Sequence, residues 1–237
     1  MSNTNLLAFS LMVMTLPLMS GLAVAGGEDD PLLTKVMIDE LERGLGSADP
    51  TRFSGQAWIG HDLNKLWLKT EGEYKNSDKQ DVELQALYSR AIAPYWDVQM
   101  GLKTDINPSP SRNWAVLGIQ GLSPYFFEVD AALFIGEAGR TAMRFSAEYE
   151  LLITQKLILT PEVEMNLYGQ NDAELAIGSG LSDISAGLRL RYEFIREFAP
   201  YVGIEWSQKF GNTADFARNE GEDSQETQFV VGFRAWF

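Results

Sequence analysis

The sequence predicts an all-β protein: a transmembrane antiparallel β-barrel of twelve strands, of the outer-membrane type. Three observations lead to this prediction: alternating apolar and polar segments, an N-terminal export signal, and a C-terminal strand that ends on an aromatic residue. The last strand runs from Thr227 to Phe237, a length that suits a tilted strand crossing a bilayer. Its apolar face consists of Thr227, Phe229, Val231, Phe233, Ala235 and Phe237. This ending is typical of the assembly signal of a bacterial outer-membrane barrel.

The same alternation recurs along most of the chain. In 140–151 the odd positions are mostly apolar, whereas Arg140, Arg144, Glu148 and Glu150 share the other face. The first two predicted strands are the least regular, so ten strands after a periplasmic segment are the alternative. The twelve predicted strands lie near 32–43, 53–60, 64–75, 81–92, 95–105, 112–122, 125–136, 140–151, 157–168, 181–193, 198–210 and 226–237.

The connections between these strands alternate in length, and 137–139 is the exception. Outer-membrane barrels have short periplasmic turns and longer outer loops, so an even number of strands places both termini in the periplasm. The short connections are 61–63, 93–94, 123–124, 154–156 and 195–197, and the long ones are 44–52, 76–80, 106–111, 169–180 and 211–225.

Aromatic residues near the strand ends are candidates for the girdles at the two membrane interfaces. For any one of them, packing inside the protein is an equally good explanation. The candidates are Trp58, Trp67, Tyr74, Tyr88, Tyr95, Trp96, Trp114, Tyr125, Tyr168, Tyr201, Trp206 and Phe210.

Residues 1–25 are predicted to be a cleaved signal peptide. Residues 6–22 are mostly apolar, and 23–25 supply the small-x-small pattern of a signal-peptidase site. A transmembrane anchor is the alternative, but the apolar run is short and Pro17 interrupts it. The predicted organisation is a signal peptide at 1–25, a short periplasmic segment at 26–31 and an outer-membrane barrel in contact with lipid at 32–237.

The composition fits this compartment. The chain has 33 Asp and Glu against 19 Lys and Arg, a formal net charge of −14, and no Cys. A basic surface for nucleic acid or anionic lipid is therefore not expected. The mean hydropathy is slightly negative, as a barrel requires, because about half of each strand faces the lumen.

Five segments of the sequence resemble the copper resistance protein B family. The resemblance runs from about Lys35 to Phe237. It implies copper homeostasis at the outer membrane of Gram-negative bacteria, usually beside a periplasmic multicopper oxidase; a copper chaperone is the alternative partner. The segments are Asn64–Glu73, Ser89–Asp97, Gly118–Tyr125, Ile177–Asp183 and Arg196–Tyr201.

One feature departs from that family. Its members often carry an N-terminal segment rich in Met and His, which suits Cu(I) and Cu(II), whereas 26–33 contains neither residue. Outside the predicted signal peptide and the predicted lipid-facing rows, only Met37 and His61 are plausible soft or borderline ligands, and they do not form a cluster. We therefore expect copper to be transported or transiently bound, not held as a tight cofactor.

The predicted lumen collects charged side chains, and two interpretations are open. One is a network of ion pairs that fills a narrow barrel. The other is an acidic path that attracts cations, which carboxylates would steer but not select, since they are hard ligands. Its predicted core, on three consecutive strands, consists of Glu128, Asp130, Glu148, Glu150, Glu162 and Glu164.

The sequence thus predicts a barrel that passes or handles copper at the outer membrane through an acidic lumen. The alternative is a structural or general cation-selective barrel without specific metal binding. Catalysis is not expected, because the only His lies at a predicted turn with no Ser near it in sequence. An aspartate-based protease with acidic residues at the outer rim is the enzyme alternative.

Overall fold

The chain forms one closed antiparallel sheet in a computed structural model that describes residues 30–46, 50–75, 79–107 and 111–237. Each strand pairs with its neighbours in sequence, and the last strand pairs with the first, which closes the barrel. The twelve strands are β1 (Leu33–Leu45), β2 (Thr51–Gly60), β3 (Asn64–Lys75), β4 (Lys79–Ala93), β5 (Trp96–Asn107), β6 (Arg112–Leu122), β7 (Phe127–Gly136), β8 (Thr141–Tyr149, continued by Leu151–Leu152), β9 (Leu157–Tyr168), β10 (Gly180–Tyr192), β11 (Phe198–Lys209) and β12 (Gln225–Trp236).

The predicted strands agree with the observed ones to within two residues at each end. The alternative of ten strands is wrong, because β1 pairs with both β12 and β2 and so belongs to the barrel wall. The predicted signal peptide, 1–25, lies outside the described residues and stays a prediction. No helix in the described part of the chain is long and apolar enough to cross a membrane.

The two ends of the barrel differ in their connections. One end carries short turns, such as 61–63 between β2 and β3 and the 3-10 turn Pro124–Phe126 before β7. The other end carries the long connections, including 169–179 between β9 and β10 and the helix α1 (Gly211–Asn219) between β11 and β12. The exception is the 3-10 turn Glu137–Gly139 between β7 and β8. This asymmetry agrees with the predicted orientation, in which the long connections lie at the outer end.

Apolar side chains form the outer wall of the barrel. Leu68 is 55% exposed, Leu102 is 67% exposed and Leu117 is 52% exposed, although all three lie well inside strands. Such exposure is unfavourable in water but favourable against lipid. The closed sheet also pairs its backbone N–H and C=O groups from strand to strand, as a segment within lipid requires.

One extra residue in β1 changes which side chains face the lumen. Just after Ile38 the pairing of β1 with both β12 and β2 shifts by one residue, so Asp39 forms a β-bulge. Before the bulge the inward residue is odd-numbered, as with Met37. After it the inward residues are Glu40 and Glu42. The bulge therefore adds carboxylates to the lumen that strict alternation does not predict.

A proline explains the interruption of β8. The pairing of β8 with β9 has the same register on both sides of Glu150, from Glu148 opposite Glu162 to Leu151 opposite Leu159. Pro161 of β9 lies in this gap and has no amide hydrogen to donate to the ladder. β8 is thus one strand with a local break.

A glycine gives one aromatic ring its place inside the barrel. Tyr201 of β11 lies opposite Gly232 of β12, which in turn lies opposite Glu42 of β1. The ring covers the glycine, and its hydroxyl donates a hydrogen bond to Glu42 Oε2 at 3.1 Å. A Cβ atom on Gly232 would lie 2.7 Å from Cζ of this ring. Gly232 therefore lets one residue bridge three strands.

The substitution Gly232→Ala tests this packing. We expect a loss of about 1–3 kcal/mol in the free energy of unfolding, because the methyl group overlaps the Tyr201 ring and also the backbone carbonyl oxygen of Leu41. The measurement is urea unfolding in lipid vesicles, followed by tryptophan fluorescence. Gly118→Ala is the matched control, since its added Cβ meets no atom closer than 3.4 Å. Equal stability of the two variants would contradict the bridge.

Candidate ion path in the barrel lumen

The barrel encloses a water-accessible lumen of about 1560 Å³. Among the described residues that line it, eighteen are Asp or Glu and nine are Lys or Arg. Carboxylates thus outnumber cationic side chains by two to one. Low-dielectric walls focus the field of such an excess into a lumen.

The largest group of ion pairs surrounds Arg189 of β10. Arg189 forms a two-pronged contact with Glu42, from Nε to Oε2 at 3.0 Å and from Nη2 to Oε1 at 3.1 Å. It also lies 2.7 Å from Glu162 and 2.9 Å from Glu40. Its side chain is 9% exposed and that of Glu42 is 2% exposed, so the pair is held away from bulk water. Charged groups this deeply buried need such direct partners.

Arg52 of β2 extends this group toward β3. It pairs with Glu205, lies 3.2 Å from Glu73 and lies 3.8 Å from Glu42. The Arg189 cluster therefore combines two guanidinium groups with five carboxylates and one tyrosine; its members are Glu40, Glu42, Arg52, Glu73, Glu162, Arg189, Tyr201 and Glu205.

Two glycines make room for the Arg189 side chain. Gly187 lies between Glu162 of β9 and Glu205 of β11 in the pairing, and a Cβ there would lie 2.5 Å from Arg189 Nη1. Gly203 lies directly opposite Arg189, and a Cβ there would lie 3.1 Å from its Cγ. Small residues beside a large cation let the guanidinium lie flat against the wall, where it reaches carboxylates on several strands.

A second group surrounds Arg144 of β8. Arg144 Nη1 lies 2.9 Å from both Glu71 and Glu83, and Nε lies 3.7 Å from Glu164. Lys103 of β5 also pairs with Glu83. Beside these charges lies an apolar wall of buried residues with three partly buried neighbours; it consists of Leu87, Trp114, Val116, Phe134, Ala142, Trp67, Ala132 and Tyr168. The charged and aromatic side chains are in contact, since Lys103 and Arg144 both lie over the Phe134 ring.

The structure brings three predicted site residues into one row. Glu128, Glu148 and Glu162 lie directly opposite one another on β7, β8 and β9. Glu128 is exposed, Glu148 lies 3.7 Å from Arg234, and Glu162 belongs to the Arg189 cluster. Direct neighbours of like charge repel each other, so this row depends on nearby cations such as Arg234.

The other predicted carboxylates are joined to cations. Asp130 accepts a hydrogen bond from Lys69 at 2.8 Å, and Glu150 accepts one from Arg191 at 2.7 Å. Glu164 lies two residues from Glu162 and faces Arg144. Ion pairing and an excess of carboxylate residues therefore occur together along the lumen.

The two predicted soft or borderline ligands lie apart. Met37 of β1 is 8% exposed and lines the lumen opposite Gln56. His61 lies in the turn after β2, five positions beyond Gln56, with Nδ1 3.0 Å from the carbonyl oxygen of Asp30. The described residues contain no group of three or more His, Cys, Asp or Glu side chains placed to hold a metal ion.

The sequence matches the family described as "Copper resistance protein B precursor (CopB)" over residues 32–237. The chain belongs to the copper resistance protein B family. It is 42% identical to "Copper resistance protein B" of Escherichia coli over 203 residues, which cover 85% of this chain and 69% of that protein. It is 46% identical to "Copper resistance protein B homolog" of Pseudomonas syringae pv. tomato over 192 residues, which cover 81% of this chain and 65% of that protein.

Solved structures confirm the barrel fold. The NanC porin superposes with a TM-score of 0.55 at 13% identity, covering 86% of this chain and 99% of that chain. The KdgM porin gives a TM-score of 0.54 at 13% identity, with the same coverage. Identities this low support the fold alone. Together with the family match, they confirm the predicted resemblance and the predicted outer-membrane type of barrel.

Sequence reasoning missed part of the lumen of this family member. Asp39, Glu40, Glu42 and Arg52 were not predicted to face inward, yet they lie in its ion-pair network. The bulge at Asp39 explains the omission of the β1 residues, because it reverses the alternation within one strand.

Several aromatic residues proposed for the membrane girdles also face inward, and Trp58 and Trp67 line the lumen. Trp114 donates a hydrogen bond to Asp105 at 2.7 Å, Tyr201 donates one to Glu42, and Tyr168 packs against the apolar wall. Their assignment to the girdles is wrong. Each has a partner in the lumen that a lipid-facing aromatic side chain would lack.

Replacing Arg189 tests whether the cluster stabilises the barrel. We expect Arg189→Met to lower the free energy of unfolding by about 3–5 kcal/mol, because it leaves buried carboxylates without a counter-charge. Arg189→Lys keeps the charge but loses the two-pronged contact with Glu42. Its free energy of unfolding should therefore lie between those of the native protein and Arg189→Met. Urea unfolding in lipid vesicles measures the free energy of unfolding of the native protein and of both variants.

The matched control for this test is Arg218→Met. Arg218 pairs only across one turn of α1 with Asp215, and both side chains are about 60% exposed. Loss of this exposed pair should lower the free energy of unfolding by about 0–1 kcal/mol. If Arg189→Met unfolds no more easily than this control, the cluster contributes nothing to stability.

Proposed function

We propose that this barrel lies in the outer membrane and passes copper ions through its acidic lumen. The single observation that carries the proposal is the twofold excess of carboxylates over cationic side chains along the lumen, in a member of the copper resistance protein B family. Rings of Asp and Glu favour cations over anions in channels. The lumen would therefore concentrate Cu(I) or Cu(II) and disfavour anions.

The proposed role of the carboxylates is to steer copper, not to select it. Copper ions prefer imidazole, thioether and thiolate ligands, whereas carboxylates suit harder ions. Glu128, Glu148 and Glu162 supply oxygen atoms along one row, and Met37 supplies one thioether elsewhere in the lumen. An ion that binds weakly at several places can leave as readily as it enters.

Selectivity for copper would then come from a partner. A periplasmic multicopper oxidase or copper chaperone at the end with the short turns would receive or deliver the ion. His61 lies at that end, with its side chain 47% exposed and beside Asp30. It is the one imidazole in the sequence and could accept copper in transfer. No catalytic step is proposed.

The second candidate function is a general cation-selective or structural barrel without specific metal binding. The observation that favours it is the pairing of Asp130 with Lys69 and of Glu150 with Arg191, which places cations against two carboxylates of the predicted path. Under this alternative the lumen charges stabilise the barrel, and copper gains no advantage over other divalent cations.

The effect of the gene on copper tolerance separates these two functions. A Gram-negative strain that lacks the gene should change in copper tolerance and in cellular copper content, and the gene should restore both. Zinc tolerance should remain unchanged. Equal expression of an unrelated outer-membrane barrel controls for membrane stress. If copper and zinc tolerance shift equally, or neither shifts, the copper-specific function is wrong.

The acidic row can be tested without breaking the Arg189 cluster. We expect Glu128→Gln combined with Glu148→Gln to lower the preference for cations over anions by about twofold or more, because both changes remove charge from the lumen. The measurement is the reversal potential of the purified barrel in planar bilayers under a salt gradient. Two substitutions outside the lumen, Glu197→Gln and Glu137→Gln, form the matched control, since both side chains lie exposed in connections. Equal reversal potentials would contradict the role of the row.

A further inference from the structure

The connection between β9 and β10 does not extend away from the barrel. Residues Glu174, Leu175, Ala176 and Ile177 line the lumen. Asp172 and Ile177 form an antiparallel bridge, with hydrogen bonds of 2.8 and 2.9 Å between their backbones. The connection is therefore a tight hairpin, here called the 172–177 hairpin, that enters the outer mouth of the barrel.

The tip of the hairpin lies beside the apolar wall inside the barrel. Leu175 and Ile177 border a small cavity of about 30 Å³ together with Trp114, Phe134 and Tyr168. These three aromatic residues belong to the apolar wall. An apolar wall exposed to an aqueous lumen would be unfavourable, and the hairpin removes part of it from water. The wall thus has a partner within the chain.

Ion pairs hold the base of the hairpin across the mouth. The Asp172 carboxylate lies 3.3 Å from Arg112 and 3.3 Å from Arg140, and its side chain is 11% exposed. Arg112 also lies 2.6 Å from Glu174. Arg112 begins β6 and Arg140 precedes β8, so a connection that leaves β9 crosses β8 and β7 to reach its partners. The hairpin therefore spans part of the opening.

A third contact joins the hairpin to the neighbouring outer connection. The backbone N–H of Gly178 donates a hydrogen bond to Thr213 Oγ1 at 2.8 Å, and Thr213 Oγ1 lies 3.0 Å from Ser182 Oγ. A Cβ on Gly178 would lie 2.7 Å from Asn212 Cβ, so the two connections approach as closely as a glycine allows. Helix α1 therefore packs against the chain that follows the hairpin and holds it in place.

We propose that the 172–177 hairpin is the size filter of the barrel, held in the outer mouth by the pairs of Arg112 and Arg140 with Asp172. This inference rests on the proposed function, because a filter acts only where solutes pass. The filter admits small hydrated cations and excludes larger solutes. Of the two acidic residues in the hairpin, Glu174 lines the lumen, with its carboxylate 2.6 Å from Arg112.

The test measures what the purified barrel admits in planar bilayers. The probes are potassium chloride for conductance and neutral polyethylene glycols of increasing size for the exclusion limit. Two variants remove the filter by different routes: Arg112→Gln combined with Arg140→Gln releases the base, and replacement of residues 173–176 by two glycines removes the tip. The matched control is Arg218→Gln, which breaks an exposed pair on α1 at the same end of the barrel.

We expect both filter variants to admit larger polymers and to raise the conductance by about twofold or more, with the control unchanged. Conductance that appears only after removal of the tip would also support the filter. If the native barrel conducts and both variants keep its exclusion limit, the filter is wrong and the proposed passage stands. If neither the native barrel nor the variant without the tip conducts, although both are folded by circular dichroism, the proposed passage is wrong and the filter with it.

Discussion

Lipid around the barrel leaves one place for the charges of its strands, which is the lumen. Most other features of the structure follow from this constraint. Burying a carboxylate or a guanidinium is unfavourable unless opposite charges meet it closely. Arg189 satisfies this condition for Glu42 with two contacts of 3.0 and 3.1 Å. The same condition explains Gly187, since a side chain there would occupy the space of the guanidinium.

The ion pairs of the lumen also help to hold the first and last strands of the barrel together. Arg189 and Glu42 are 147 residues apart in sequence, and Tyr201 reaches Glu42 across Gly232 of the last strand. Contacts of such sequence separation form only when the first and last strands are already near each other. The Arg189 cluster therefore reinforces the seam between β1 and β12, which has no turn to hold it. Backbone pairing alone would leave this seam as the weakest place in the wall.

The alternation of side chains predicted the fold well, because a strand with one face in lipid and one in the lumen must alternate over its whole length. The prediction was incomplete where the backbone departs from that period. The bulge at Asp39 reverses the phase of β1 and moves Glu40 and Glu42 inward. Ion pairs across the lumen could not be predicted from the sequence either. No local pattern indicates that Arg144 contacts Glu83, which lies 61 residues away. These ion pairs across the lumen decide which carboxylates keep part of their charge unneutralised. They depend on the tilt of the strands, which the local sequence does not specify.

A lumen filled with ion pairs and a lumen that passes cations are compatible on physical grounds. A guanidinium shared among several carboxylates neutralises only part of their charge, so the Arg189 cluster attracts cations while its own members stay in place. A passing ion then meets carboxylates that already have partners, and each binds it more weakly than a free carboxylate would. Weak binding at several places is what rapid passage requires, whereas a preformed cage would hold the ion. Under the proposed function, the ion pairs that stabilise the barrel would thus also prevent it from retaining copper.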